Sequence, residues 1–220
     1  MNRVALSREK RQEIINNLLT AIGRNLYYAG FSVEVFAKDN GLSRQSIYKY
    51  LSTLEREGQI KKLEGYNNYC LVDSYYQFEY PRIGLKEDRV WSEIVPLLKD
   101  MSDPVLRCCA YAFGEMINNA VDHSEGTQIV VRVCINAFSI SFYIVDDGIG
   151  IFTKIASAMG FEEKRFGILE LAKGKFTTDP DSHSGEGVFF SSKVTDIFGI
   201  FSDDLVFSSN NYQEGSSAAS

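Results

Sequence analysis

The chain has 220 residues, 45% of them hydrophobic and 24% charged, with a formal net charge of −6. That is the balance of a folded protein with room for one large or two small domains. No run approaches the roughly 18–20 apolar residues of a membrane span and the N-terminus is polar after Leu6, so neither a spanning helix nor a secretory leader is expected and a cytoplasmic location is.

The charge is uneven. Residues 1–75 hold 11 Lys and Arg against 8 Asp and Glu, the remainder 12 against 21, so a mildly basic module precedes an acidic one. Cys70, Cys108, Cys109 and Cys134 lack metal-ligand spacing and are expected as reduced core thiols.

Ser7 caps a predicted helix from Arg8 to about Gly23 that turns Ile14, Ile15, Leu18, Leu19 and Ile22 inward. A short helix follows from Val33 to Asn40, then a break at Gly41-Leu42. A third helix, capped by Ser43 and running through Glu57, carries Ile47, Leu51 and Leu54 inward. Gln59–Leu63 and Tyr69–Val72 flank Gly65-Tyr66-Asn67-Asn68 as a two-stranded hairpin. Ala37, Gly41 and Ile47 have helix-turn-helix spacing, and residues 1–75 resemble a winged helix-turn-helix domain. The resemblance implies duplex DNA as partner, with Arg44, Gln45, Tyr48 and Lys49 of the third helix reaching bases and phosphates and Lys61 and Lys62 meeting the backbone. The alternative use of such a domain is docking a protein partner.

Residues 76–90 lose periodicity around Pro81 and Gly84 and are expected as a linker whose aromatics pack on a domain or form a dimer contact. A helix is predicted from Asp88 to Lys99, and Pro104 opens a longer one that ends at Gly126. Residues 127–137 and 139–146 alternate as an antiparallel strand pair, which with the helices gives an α+β class, a two-layer α/β sandwich over residues 91–209. Further on, the pattern predicts a helix over 164–172, a polar loop over 173–182, a helix over 188–198 and a strand over 204–208. The tail 210–220 is expected to be disordered.

Three motifs carry chemistry. In Glu115-Met116-Ile117-Asn118-Asn119-Ala120-Val121-Asp122-His123 the helical period sets Glu115 and Asn119 side by side, with Asp122 a turn further, where a hard cation could sit. Asp146-Asp147-Gly148-Ile149-Gly150 ends a strand with a carboxylate able to accept from an exocyclic amine and two glycines that admit close backbone approach. Gly185-Glu186-Gly187 precedes a helix whose free amides suit a phosphate.

In this order the motifs resemble the GHKL ATPase superfamily with its Bergerat ATP-binding fold, over roughly residues 87–207. The resemblance implies ATP and Mg2+ as cofactors, Glu115 as general base and Asn119 as magnesium ligand, with Asn118 and Asp122 in the nucleotide-binding set. It further implies Asp146 as the reader of the adenine amine, Gly148 and Gly150 shaping the adenine pocket, and Gly185 and Gly187 hinging a lid that holds Lys173 and Lys175. A Glu four residues before Asn, with no separate phosphoacceptor helix, is closer to the anti-sigma serine kinase branch, or to ATP-hydrolysing members, than to sensor kinases.

The expectation is an ATP-dependent transcriptional regulator, a homodimer. The alternatives are an anti-sigma-like protein serine kinase acting on a sigma factor or a STAS-like partner, and a nucleotide-binding switch without turnover. The family's further strand, often entered through a Gly-Thr pair, is missing from the pattern, so the module is read as C-terminally truncated.

Overall fold

A computed structural model describes residues 7–24, 31–64, 68–173 and 186–211. The chain is mixed α+β and divides into two compact units, residues 1–76 with 132–142, and residues 77–131 with 143–220.

In the first unit, α1 (Arg8–Arg24), α2 (Val33–Asp39) and α3 (Arg44–Arg56) start where side-chain oxygens satisfy free amides. Ser7 Oγ accepts from Lys10 N at 3.1 Å, Ser32 Oγ from Val35 N at 3.3 Å and Ser43 Oγ from Ser46 N at 3.2 Å. Gly41, with φ of 63°, makes the turn between α2 and α3 in the left-handed region that glycine favours. Strands β1 (Ile60–Lys62) and β2 (Tyr69–Leu71) pair antiparallel, Ile60 opposite Leu71 and Lys62 opposite Tyr69. Leu18, Ile22, Ile47, Leu51, Leu54 and Ile60 form one closed cluster, each side chain stabilising the fold by about 1.5–3 kcal/mol.

The stretch 76–90, expected as a linker, holds regular structure at both ends. Strand β3 (Ser74–Pro81) runs into it, and α4 begins at Glu87 (Glu87–Ile94). Alternation that the crowded aromatics obscured explains the strand: Tyr80 is buried, its hydroxyl donating to Glu93 at 3.0 Å, and its ring stacks with Phe78 at 6.5 Å. Helix α4 gives way to a 3-10 turn over Val95–Leu98, where Pro96 cannot supply an amide to a continuing α-helix. Helix α5 (Asp103–His123) buries Ala112, Phe113, Ile117 and Ala120, and Trp91 packs on Phe113 with centroids 5.5 Å apart. It ends at His123, three residues before Gly126.

Strands β4 (Gln128–Ile135) and β5 (Ile140–Asp146) follow, and the sheet order is β3-β4-β5. Asn136 makes the turn between them: its N–H donates to Ser139 O at 3.0 Å, and its Oδ1 accepts from Phe138 N at 2.8 Å and Ser139 N at 2.7 Å. Residues 132–142 belong to the first unit, where Asn136 Nδ2 donates to Asp73 Oδ1 at 2.8 Å. Phe138 lies over Gly23 there, so close that a Cβ on Gly23 would come 2.6 Å from its ring.

Helix α6 (Ile151–Met159) was not anticipated; α7 (Arg165–Ala172) was. The helix expected over 188–198 is shorter, α8 (Gly187–Val194), and Phe198 instead lies in β6 (Ile197–Ser202), paired antiparallel with β7 (Leu205–Asn210). The alternation Ile197-Phe198-Gly199-Ile200, with Phe198 buried and Ile197 exposed, has strand period, and the preceding Thr195 takes an extended conformation. Asn210 is strand rather than tail, and residues 212–220 lie outside the described residues. Phe152, Ile155, Leu171, Val188 and Phe198 close a core among α6, α7, α8 and the β6–β7 hairpin. Of the cysteines expected as core thiols only Cys70 is buried; Cys108 is exposed and Cys109 and Cys134 are half-buried. Among the described residues no helix is long and apolar enough to cross a membrane.

Candidate functional site

Every described residue of the three motifs lies in the second unit. Helix α5 supplies Glu115, Asn118 and Asn119, all half-buried, and Asp122, which is exposed. Four-residue spacing holds Glu115 and Asn119 on one face of the helix, beside the apolar stripe of Phe113, Ile117 and Ala120.

Two contacts join α5 to the other motifs. Past its middle, the Glu115 carboxylate rests against Gly187, the first residue of α8: a Cβ there would run into Oε2 and lie 2.8 Å from Cδ. That close contact puts a carboxylate beside the opening turn of a helix. The same cluster raises the Tyr111 hydroxyl above its ordinary pKa, through burial first and then the negative charges of Glu115 and Glu186.

At the C-terminal end of α5, Ser124 O accepts from Ile149 N at 2.9 Å and presses against Gly148, where a Cβ would strike that oxygen and lie 2.6 Å from the carbonyl carbon. Gly150, with φ of +83°, then opens α6, and a Cβ there would meet Ser202 Oγ. Gly148 thus provides close approach and Gly150 provides the left-handed turn, two different uses of glycine in one motif.

The adjacent aspartates divide the work. Asp146 is exposed and its Oδ1 accepts one bond, from Gly148 N at 3.0 Å. Asp147 accepts three: Thr127 N at 2.6 Å and Gln128 N at 2.9 Å on Oδ1, and Thr127 Oγ1 at 2.5 Å on Oδ2. The Gln128 amide foremost, then the Thr127 hydroxyl and amide, hold the Asp147 carboxyl down to about 2. Sequence reasoning passed over Asp147, although it stands beside Asp146. It also passed over Arg82, which holds the Val121 carbonyl in the last turn of α5 and the Gly126 carbonyl beyond it and has no local signature.

Lys173 lies just past α7, exposed, and pairs with Glu170 at 2.6 Å. Lys175 and Gly185, also expected at the nucleotide, lie outside the described residues, as does His183. Among the described residues no three His, Cys, Asp or Glu side chains form a metal cluster. A magnesium ion keeps waters and phosphate oxygens around one or two protein ligands and does not require such a cluster.

In the first unit the four side chains expected to face nucleic acid, Arg44, Gln45, Tyr48 and Lys49, are all exposed on α3, opposite buried Ile47, Leu51 and Leu54. Arg44 lies 3.9 Å from Glu34 of α2, with both side chains largely in solvent. Lys61 and Lys62 are exposed on β1.

No protein-family model and no curated protein matches the chain.

Proposed function

We propose that the chain is an ATP- and magnesium-binding regulator of the GHKL type, whose N-terminal unit is a winged helix that binds duplex DNA and so ties transcription to nucleotide state. The observation that carries this reading is the meeting of three motifs far apart in sequence: Glu115 against Gly187, and Ser124 against Gly148 and Ile149. In this reading Asp146, whose carboxylate keeps acceptor capacity beyond its single bond, takes the exocyclic amine of adenine. Asn119 holds magnesium on the phosphates and Glu115 orients the nucleophile, water or a hydroxyl; bound magnesium would supply charge neutralisation as phosphoryl transfer proceeds. The exposed polar face of α3, with Lys61 and Lys62, supports the nucleic-acid half of the proposal.

Calorimetric titration of the whole chain with ATP, with and without magnesium, tests it. Asp146→Ala abolishes binding in both conditions, whereas Asn119→Ala removes only the magnesium-dependent part. Absence of ATP binding by the unsubstituted chain would sink the assignment.

A further inference from the structure

Segment 124–128 and turn 146–149 are gripped by two side chains outside the expected site. Arg82, half-buried just beyond β3, donates from Nε to Gly126 O at 2.6 Å and from Nη1 to Val121 O at 2.7 Å, while its own N–H donates to Thr127 O at 2.9 Å. Asp147 holds Thr127 and Gln128 by the three bonds already described. Between the two grips runs Ser124-Glu125-Gly126, with Gly126 N donating to Ser124 Oγ at 3.2 Å. Gly126 is hemmed in: a Cβ there would strike Asp147 Oδ1 and lie 2.9 Å from Gly148 N.

We propose that Arg82 and Asp147 are a positioning pair for the Asp146 site: Arg82 fixes the Val121 carbonyl in the last turn of α5 and the Gly126 carbonyl beyond it, Asp147 fixes Thr127 and Gln128 at the start of β4, and together they set the Ser124 carbonyl that places Gly148 and Ile149. The proposal rests on the nucleotide reading above. A guanidinium suits the task because its planar fork donates to two carbonyls at once and its charge sits at the negative end of the α5 dipole. A lysine makes one such bond in that geometry and leaves the other carbonyl to water. Asp147, with three donors on its two oxygens, is committed to the scaffold. Its neighbour Asp146 is left to read the ligand.

The test compares Arg82→Met and Arg82→Lys in the full chain by amide hydrogen exchange without nucleotide and by calorimetric titration with ATP. Arg82→Met speeds exchange at Gly126, Thr127, Gly148 and Ile149 by about tenfold or more, leaves β6–β7 amides unchanged, and weakens ATP binding by about tenfold; Arg82→Lys lies between. A uniform rise in exchange across the second unit overturns the proposal, because Arg82 is then an ordinary fold residue. Local loosening with unchanged ATP affinity overturns it equally. If the unsubstituted chain binds no ATP, the nucleotide reading falls, and the exchange pattern alone decides whether the pair holds the turn.

Discussion

Helices α3 and α5 handle polar side chains in opposite ways. Helix α3 buries Ile47, Leu51 and Leu54 and leaves Arg44, Gln45, Tyr48 and Lys49 in solvent, whereas α5 holds Glu115, Asn118 and Asn119 half-buried beside its apolar stripe. A polar group drawn out of water costs free energy unless it is partnered. The outer face of α3 is therefore free to be chosen for what it touches at no cost to folding. The polar side chains of α5 keep part of their surface in water, so any choice there also bears on packing against the apolar stripe.

The largest effect expected from this contrast lies on the buried side of α3. Leu51→Ala removes a fully buried side chain and lowers unfolding free energy by about 2–5 kcal/mol, read by denaturant unfolding of the first unit. Gly148→Ala is next: a methyl forced against the Ser124 carbonyl costs about 1–3 kcal/mol and loosens the turn at the end of α5. A neutral result there would remove the argument for close approach.

A smaller effect follows from Asp147. Its folded pKa, about 2, is depressed below the ordinary 3.8, so its contribution is fully present above the ordinary value and is lost as pH falls from about 4 through the folded value. Thermal midpoints measured across that window fall less steeply for Asp147→Asn than for the unsubstituted chain. The smallest effect on folding comes from the outer face of α3. Arg44→Ala and Lys49→Ala change stability by less than about 0.5 kcal/mol, while each lowers the salt slope of duplex DNA binding by about 1. Unchanged DNA affinity in both would point the first unit towards a protein partner.

The sequence was most legible where periodicity and capping agreed. The caps Ser7 and Ser43 and the turn at Gly41 announced α1 to α3 within a residue or two, because each is a local decision. Strand β3 was hidden because aromatics on both sides of the alternation masked its period. Helix α8 was overextended through Phe198 because no glycine or proline between Val188 and Phe198 marks where helix gives way to strand. The Glu115–Asn119 pairing could be read from helical spacing alone. The Arg82 contacts could not, since they span 39 and 44 residues and depend on the tertiary path of β3.

The β6–β7 hairpin has a consequence of a different kind. Phe201 stands directly opposite Val206, and Ile197 continues the same outward face past Gly199. Ile197 is 71%, Phe201 79% and Val206 51% exposed, so apolar side chains stand in solvent on that face beside Ser208 and Asn210. Exposed apolar side chains on a strand favour self-association, so this hairpin, and not net charge alone, is expected to weigh on behaviour in concentrated solution. A lysine in place of Phe201 would keep copies apart while removing little packing from the fold.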